Sequence, residues 1–211
     1  MNRALDLLIA VAALVVLSPL LLLCAVAIKL DSRGPVLYRQ RRVGRDGRPF
    51  ELCKLRTMVV DAENQGAGLY IEDRDPRITR VGRMLRRFSL DELPNLFNVL
   101  RGELAIVGPR PTVQEQVDRY TEHQRRRLEA RPGITGWAQV NGRTSLSWPE
   151  RIELDVWYVD NRTLALDLRI LARTARMLVT GHGLYSADLT QGWDEEAERQ
   201  TSGATRGCKK P

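Results

Sequence analysis

Residues 7–28 form one apolar run of 22 residues without a charge, interrupted only by Ser18 and Pro19. At ~1.5 Å per helical residue the run reaches roughly 33 Å, enough for a hydrocarbon core of ~30 Å. The pattern predicts a membrane helix. Pro19 lies near its middle, lacks a backbone donor and crowds the turn before it. The arms on either side are each about half a bilayer long, at roughly 14–17 Å. A sharp bend would return the chain to the face it entered, and a mild kink would let it span. The Ser18 hydroxyl suits either geometry, because it can bond carbonyls that Pro19 frees. The pattern alone leaves both topologies open.

Beyond the run the apolar positions become intermittent. Within residues 36–58 they flank Asp46-Gly47, a tight-turn pair, which predicts a short β-hairpin with Phe50, Leu52 and Leu55 making apolar contacts. Residues 61–75 are polar and contain Gly66 and Gly68, so a loop is expected there. Thr79 is placed to cap a short helix over 81–87. Ser89-Leu90-Asp91-Glu92 has the form of a capping box, a Ser N-cap with Glu three residues on, and Pro94 suits a first turn. A helix is therefore expected to start at 91–94 and to run to Gly102. Residues 112–130 read as one helix with Val113, Val117, Tyr120 and Leu128 roughly on one face, ended by Arg131-Pro132-Gly133. Ser147-Trp148-Pro149-Glu150 is a second capping box, opening a helix that carries Ile152, Val156 and Trp157. Over 164–180, Leu168, Leu171, Ala175, Leu178 and Val179 share a face, with Arg169, Arg173 and Arg176 elsewhere. That helix either faces the core or lies in a membrane interface with its arginines reaching phosphates. From Ser186 onward the chain is acidic at Asp194-Glu195-Glu196, then small and basic, and is expected to be disordered.

Composition narrows the partners. The 211 residues and 43% hydrophobic content suffice for one domain plus an anchor. A net charge of +7 attracts anionic partners such as phosphorylated substrates or lipid headgroups. Nucleic acid is set aside: only 6% of residues are aromatic, and no recognised module is present. Cys24, Cys53 and Cys208 are too few and too scattered for a disulfide framework. Neither His123 nor His182 has metal-ligand spacing from a cysteine, so a structural zinc site is excluded. Ala25-Val26-Ala27 resembles a signal-peptide cleavage site, but the apolar stretch is longer than a usual signal core. Residues 31–60 carry eight Arg or Lys against three Asp or Glu. Such a block stays cytoplasmic and sits well against anionic headgroups.

The candidate chemistry is at Asp91-Glu92. Neighbours on a helix point about 100° apart, so the two carboxylates do not face each other across a bond as a glycosidase pair does. A helix start favours ionised carboxylates and also holds phosphate. Arg83, Arg86 and Arg87 precede the pair. Arg110 follows in Gly108-Pro109-Arg110-Pro111, where the prolines stiffen the backbone that carries a phosphate-gripping guanidinium. A carboxylate beside phosphates is a usual holder of Mg²⁺ and can form an acyl phosphate. Taken alone, these residues fit a plain capping box with solvated charges better than a catalytic site. The basic block also admits a non-catalytic, membrane-tethered polybasic scaffold.

The wider pattern is more specific. Arg3-Ala4-Leu5-Asp6, Ser18-Pro19, Gly34-Pro35-Val36-Leu37-Tyr38-Arg39-Gln40, Arg42-Val43-Gly44, Lys54-Leu55-Arg56-Thr57-Met58 and Asp75-Pro76-Arg77-Ile78-Thr79-Arg80-Val81-Gly82 occur in one order. They are followed by SLDELPNLFNVLRGELAIVGPRP at 89–111 and RPGITGWAQVNGR at 131–143. Over about residues 1–185 the chain closely resembles the small monotopic phosphoglycosyl transferases among the bacterial sugar transferases. The larger members' extra N-terminal spans and nucleotide-binding-like domain have no counterpart in the match.

That resemblance implies an α+β, mostly α-helical fold. It implies a re-entrant membrane helix-hairpin over 1–30 broken at Ser18 and Pro19, a catalytic domain over 31–185, and amphipathic interfacial helices around the active site. The tail over 186–211 lies outside the match. Asp91 is implied as the nucleophile toward a UDP-sugar, releasing UMP and passing a phosphosugar to undecaprenyl phosphate, as the first step of glycoconjugate or polysaccharide assembly. Mg²⁺ is implied as cofactor, with Asp91 and Glu92 as its ligands. For Glu92, metal binding or positioning is favoured over deprotonation, because a phosphate monoester is already largely dianionic at neutral pH. Arg86, Arg110, Pro111, Arg131 and Arg143 are the expected substrate-binding residues. The expected location is the bacterial inner membrane, with the catalytic domain on the cytoplasmic face. Neither the sugar nor an oligomeric state is announced by any motif.

Overall fold

The computed structural model describes residues 2–64, 75–142 and 146–180. Most of the loop expected at 61–75, the candidate Arg143 and the tail from Ser186 lie outside the described residues. The chain opens with helix α1, Arg3–Asp31, which is continuous. Pro19 lies inside it, and the Ser18-Pro19 pair is accommodated within the helical hydrogen bonding. Pro19 cannot donate to the carbonyl four residues earlier, that of Val15, and the Ser18 hydroxyl donates to that same oxygen at 2.8 Å. The helix therefore carries its proline without an orphaned acceptor.

Both ends of α1 are fastened to the rest of the protein. At its start Arg3 donates to the carbonyls of Val99 (2.6 Å) and Leu100 (3.1 Å). The buried Asp6 accepts from the backbone N–H of Ile106 at 3.0 Å. At its end Asp31 accepts from the N–H of Val81 at 2.9 Å, and Arg56 donates to the Ser32 carbonyl at 2.8 Å. Ala10, Cys24 and Ile28 are buried on the inner face, while Leu8, Val15, Val16, Leu22, Leu23 and Leu30 are exposed. The outer face is thus a broad apolar surface.

The expected hairpin is present. Strands β1, Leu37–Val43, and β2, Pro49–Leu55, pair antiparallel from Leu37 opposite Leu55 to Val43 opposite Pro49. Asp46 and Gly47 both take positive φ (56° and 76°), which is what an Asp-Gly pair supplies at a tight turn. Phe50, Leu52 and Leu55 are buried as expected. Helix α2, Arg80–Arg87, is capped by the Thr79 hydroxyl, which accepts from the N–H of Gly82 at 2.9 Å.

The next segment departs from expectation. Ser89 sits in the left-handed region (φ 53°) and its side chain caps nothing. Leu90–Glu92 is a single 3₁₀ turn, and helix α3, Asn95–Arg101, begins only after Pro94. Gly102, at φ 85°, ends it. Asn98, fully buried on α3, accepts from the N–H of Cys53 and donates to the carbonyl of Glu51, locking α3 onto β2.

Strand β3, Ala105–Val107, then pairs in parallel with β4, Gly133–Thr135, a contact absent from the expected pattern. Between them the expected long helix is broken into α4, Gln114–Val117, and α5, Glu122–Arg125, with a 3₁₀ turn over Arg126–Glu129. Thr121 and Gln124 form their own capping box and restart the helix. After α6, Trp137–Val140, the second expected capping box closes: Ser147 and Glu150 begin α7, Trp148–Asn161. Its Ile152 and Val156 are buried, but Trp157 is exposed on one side and stacks on Trp137 at 5.1 Å.

Helix α8, Leu164–Thr180, has two apolar stripes. Leu166 and Ile170 face the core, with the buried Asp167 accepting from the Tyr158 hydroxyl at 2.7 Å. The stripe expected to be the apolar face carries Leu168 and Leu178, both about half exposed. The main core gathers α1, β2, α3, β3, α7 and α8 around Ala10, Leu52, Val99, Ile106, Tyr158 and Ile170. Among the described residues the fold is mostly helical, with two short two-stranded sheets.

Candidate active site

Asp91 and Glu92 lie on the 3₁₀ turn between α2 and α3, above the last residues of β2. The Glu92 side chain does not fold back to cap Ser89. One oxygen, Oε1, accepts from Lys54 Nζ at 2.9 Å and from Arg110 Nη2 at 2.9 Å. Burial pushes the Glu92 carboxyl up, but the Arg110 and Lys54 charges and their hydrogen bonds outweigh it and hold it well below the usual carboxylate range. Glu92 is therefore a fixed anion.

Asp91 behaves in the opposite sense. Burial and the adjacent Glu92 charge push its carboxyl up, against the opposing charges of Lys54 and Arg86. Among the described residues it makes no ion pair. This corrects the expectation of a low-pKa carboxylate at a helix start. The turn is too short to present an aligned helix dipole, and of the two cations that lower Asp91, Lys54 is engaged by Glu92 and Arg86 by the Thr57 hydroxyl.

Three segments position these groups. Lys54 is delivered by β2, which is clamped to α3 through Asn98. Arg110 follows β3 in the Gly-Pro-Arg-Pro loop. That loop is laced to the RPGIT segment: the N–H of Gly133 donates to Pro109 O at 2.8 Å, and the N–H of Gly108 donates to Thr135 O at 2.9 Å. Only glycines fit there, since a Cβ on Gly133 would stand 2.1 Å from the backbone nitrogen of Gly108. Arg86 comes from α2, where its Nε donates to the Thr57 hydroxyl at 2.9 Å.

Behind Arg110 lies a second charged cluster. Arg127, fully buried, donates to the backbone carbonyl of Arg110 at 3.0 Å, to the Tyr120 hydroxyl and to Asp155. It fixes the main chain from which the Arg110 side chain projects.

Glu92 and Arg110 stand between two hollows. On one side is a cavity of about 240 Å³, walled by Ala13 and Leu17 of α1, Leu93 and Leu96, Ile134 and Val140, and Met177 and Leu178 of α8. Ser89, Glu92 and Arg110 form part of its lining, as does Gln139. On the other side is a cleft of about 20 Å³ lined by Arg42, Lys54, Asn95, Arg110 and Pro111.

The structure thus brings Glu92, Arg110 and Pro111 together at the hollows, with Asp91 and Arg86 beside them but lining neither. Arg131 also lines neither hollow and makes no ion pair with this group among the described residues. Lys54, Arg127 and Gln139 were missed as functional candidates. The available signal for Lys54 was a lone charge between Cys53 and Leu55 in a strand. Nothing local marked Arg127 among its arginine neighbours.

Chemically, the site pairs a carboxylate free to act as nucleophile or metal ligand with a fixed anion that organises two cations. As a Mg²⁺ ligand Asp91 fits, since one or two carboxylates plus substrate phosphates are the usual set. Glu92 fits less well, because two cations already share one of its oxygens. No group of three or more His, Cys, Asp or Glu that would hold a metal on its own occurs among the described residues.

The profile of the bacterial sugar transferases matches residues 1–181. The uncharacterized sugar transferase EpsL of Bacillus subtilis (strain 168) is 45% identical over 188 residues, which cover 89% of this chain and 92% of that protein. A UDP-N-acetylgalactosamine-undecaprenyl-phosphate N-acetylgalactosaminephosphotransferase of Aeromonas hydrophila is 43% identical over 188 residues, covering 86% of this chain and 44% of that protein. The undecaprenyl-phosphate galactose phosphotransferase of Salmonella typhimurium (strain LT2) is 38% identical over 199 residues, with coverage of 88% and 42%. The chain therefore spans most of the first relative and less than half of the other two.

Proposed function

The chain belongs to the bacterial sugar transferase family and is a transferase, and from that premise we propose that it moves a sugar-1-phosphate from a UDP-sugar to undecaprenyl phosphate by way of a phosphosugar carried on Asp91. The observation that carries this reading is the split between adjacent carboxylates. Glu92 is held by Lys54 and Arg110, while Asp91 has no ion pair among the described residues.

In the first step an Asp91 carboxylate oxygen attacks the β-phosphorus of the donor. The bond from that phosphorus to the oxygen bridging the two phosphates breaks, and UMP leaves with its electron pair. In the second step a lipid phosphate oxygen attacks the same phosphorus, the acyl phosphate bond breaks, and Asp91 is regenerated. Arg110 and Lys54 neutralise charge at the transferring phosphoryl group. Glu92 is the positioning residue that holds both cations. Arg86 offsets charge beside Asp91. Mg²⁺ would be held by Asp91 and would neutralise charge on the donor's diphosphate as UMP departs.

The reading also places the protein on the cytoplasmic face of the inner membrane. The 29-residue apolar helix suits membrane association. Its Arg3–Asp6 end and its Asp31–Ser32 end bind the same body, which favours a re-entrant course bent at Ser18-Pro19 over one that spans the membrane. The exposed Leu164, Leu168 and Leu178 of α8, the exposed Met84 of α2 and the exposed Phe88 that follows it are suited to lie at the interface.

The test is a screen of UMP release over a panel of UDP-sugars with Mg²⁺ and polyprenyl phosphate, together with trapping of radiolabelled phosphosugar on the protein. Label on Asp91 is expected. A variant with Asp91→Asn that turns over at the normal rate would remove the nucleophile assignment. Cysteine labelling in intact cells should find both ends of α1 inaccessible from outside.

A further inference from the structure

Two asparagines on α3 are treated in opposite ways. Asn98 is saturated by the protein: its Oδ1 accepts from Cys53 N at 3.0 Å, and its Nδ2 donates to Glu51 O at 2.6 Å and to Glu103 Oε2 at 2.7 Å. Asn95 is almost as hidden, with 3% of its surface exposed. Yet its Oδ1 is enclosed and has no hydrogen-bond partner among the described residues. A buried carboxamide left unpaired costs free energy, and a ligand that supplies the partner removes that cost.

Asn95 lines the small cleft on the Lys54 side of Glu92, where it is the one neutral polar side chain in the lining. Three cations line the same cleft, Arg42, Lys54 and Arg110, against the single anion Glu92. That excess of positive charge selects an anionic occupant. Volume narrows the choice. At roughly 10–15 Å³ per water, the cleft's 20 Å³ has room for about one or two non-hydrogen atoms, too few for a sugar ring or a nucleobase. An oxygen of a phosphoryl group fits, with the rest of the ligand outside. The backbone N–H of Gly133, which also lines the cleft, already donates to Pro109 O. The remaining neutral donor is the Asn95 carboxamide. A half-turn about its last torsion exchanges oxygen and nitrogen, and the NH₂ group can then donate to an oxyanion.

We propose that Asn95 is a further catalytic residue, whose amide N–H donates to a non-bridging oxygen of the transferring phosphoryl group, seated in this cleft beside Lys54 and Arg110. This rests on the transfer reaction proposed above. An oxygen seated there leaves its phosphorus at the mouth, beside the turn that carries Asp91. The bond forms to the bound phosphate and tightens as charge gathers on that oxygen in the transition state. Asn98 locks the helix in place, and Asn95 is the position the fold leaves for the substrate.

Asn95→Leu keeps the side-chain volume and removes the carboxamide. Its melting midpoint should hold or rise, because no bond is lost and an unpaired buried polar group is removed. Calorimetry on the full-length protein in nanodiscs with Mg²⁺ should show affinity for inorganic pyrophosphate lower by about tenfold. The single-turnover burst of UMP at saturating donor should slow by about 10²-fold. A folded Asn95→Leu with unchanged pyrophosphate affinity, or with a burst at the normal rate, overturns the proposal. If the unaltered protein releases no UMP from any UDP-sugar, the transferase reading falls. The pyrophosphate measurement then still decides whether Asn95 holds a phosphate oxygen.

Sulfur substitution supplies a second arm that does not depend on how Asn95→Leu folds. Donors with sulfur in place of one non-bridging β-oxygen exist as two diastereomers. The unaltered protein should use them at different rates, because sulfur is larger and a poorer acceptor where the Asn95 amide donates. Asn95→Ala should slow the faster diastereomer and spare the slower one, so that their ratio shrinks toward unity. A merely structural asparagine would slow both alike, and an unchanged ratio overturns the proposal.

Discussion

Two charged clusters meet at Arg110 and are built in opposite ways. The inner one, Arg127 with Asp155 and Tyr120, is closed: Arg127 and Asp155 are both almost fully buried, and the guanidinium ends on a backbone carbonyl. The outer one, Lys54 and Arg110 on Glu92, opens onto a cavity on one side and a cleft on the other. In the inner cluster burial still pushes the Asp155 carboxyl up, against the Arg127 charge. In the outer cluster two cations on one oxygen win, and Glu92 is held down. The contrast separates two uses of an ion pair. The closed pair fixes a main chain; the open one consumes one carboxylate so that its neighbour, Asp91, stays free to react.

The largest effect expected from breaking this arrangement is at Asp91. Asp91→Asn should lower UMP release by at least about 10³-fold, because an amide cannot attack phosphorus as a carboxylate does. Thermal unfolding should change little, since Asp91 makes no ion pair among the described residues that would be lost. A comparable fall in stability would mean that Asp91 belongs with the structural cluster.

At the closed cluster the order reverses. Arg127→Ala leaves Asp155 buried without its counter-charge and should cost about 3–5 kcal/mol of stability. For a chain of this size that is a midpoint lower by roughly 10 °C in a thermal melt. Arg127→Met with Asp155→Leu should recover much of the loss, because a buried pair replaced whole by apolar groups is often neutral. Failure of that double variant to recover would show that the bond to the Arg110 carbonyl matters more than the charge pair. Arg110→Lys should be milder, about 10–100-fold in kcat/KM, since lysine keeps the charge on Glu92 but loses the planar fork that grips phosphate.

How far these clusters could be read beforehand depended on distance along the chain. Ser147 to Glu150 and Ser89 to Glu92 carry the same local signal. The first closes as a capping box, with Glu150 accepting from Ser147 N at 2.7 Å. The second does not, because Lys54 and Arg110, 38 and 18 residues away, take the glutamate. A local pattern is decisive only where no distant partner competes. The Asp46-Gly47 hairpin was legible because its turn satisfies itself. The paired motifs around Arg110 and Gly133 were legible as motifs, but their parallel pairing over three residues each was not, since such strands are too short to show a period. Arg127 read as one surface arginine among several. Its role appears only once Asp155, 28 residues on, is folded against it.

The smallest predicted effect is the most discriminating, because it has opposite signs at two neighbouring residues. The Lys54 charge holds the Asp91 carboxyl down, and the Glu92 charge pushes it up. A nucleophilic carboxylate must be ionised, so the acid limb of the kcat/KM profile for UMP release follows Asp91. Lys54→Met removes the lowering charge and should move that limb to higher pH. Glu92→Gln removes the raising charge and should move it to lower pH, although its maximal rate falls as Lys54 and Arg110 lose their common anchor. If both variants shift the limb the same way, the limb does not report Asp91. If neither shifts it while both lose rate, Lys54 and Glu92 act only through geometry, and the open cluster would then be a clamp of the same kind as the closed one behind it.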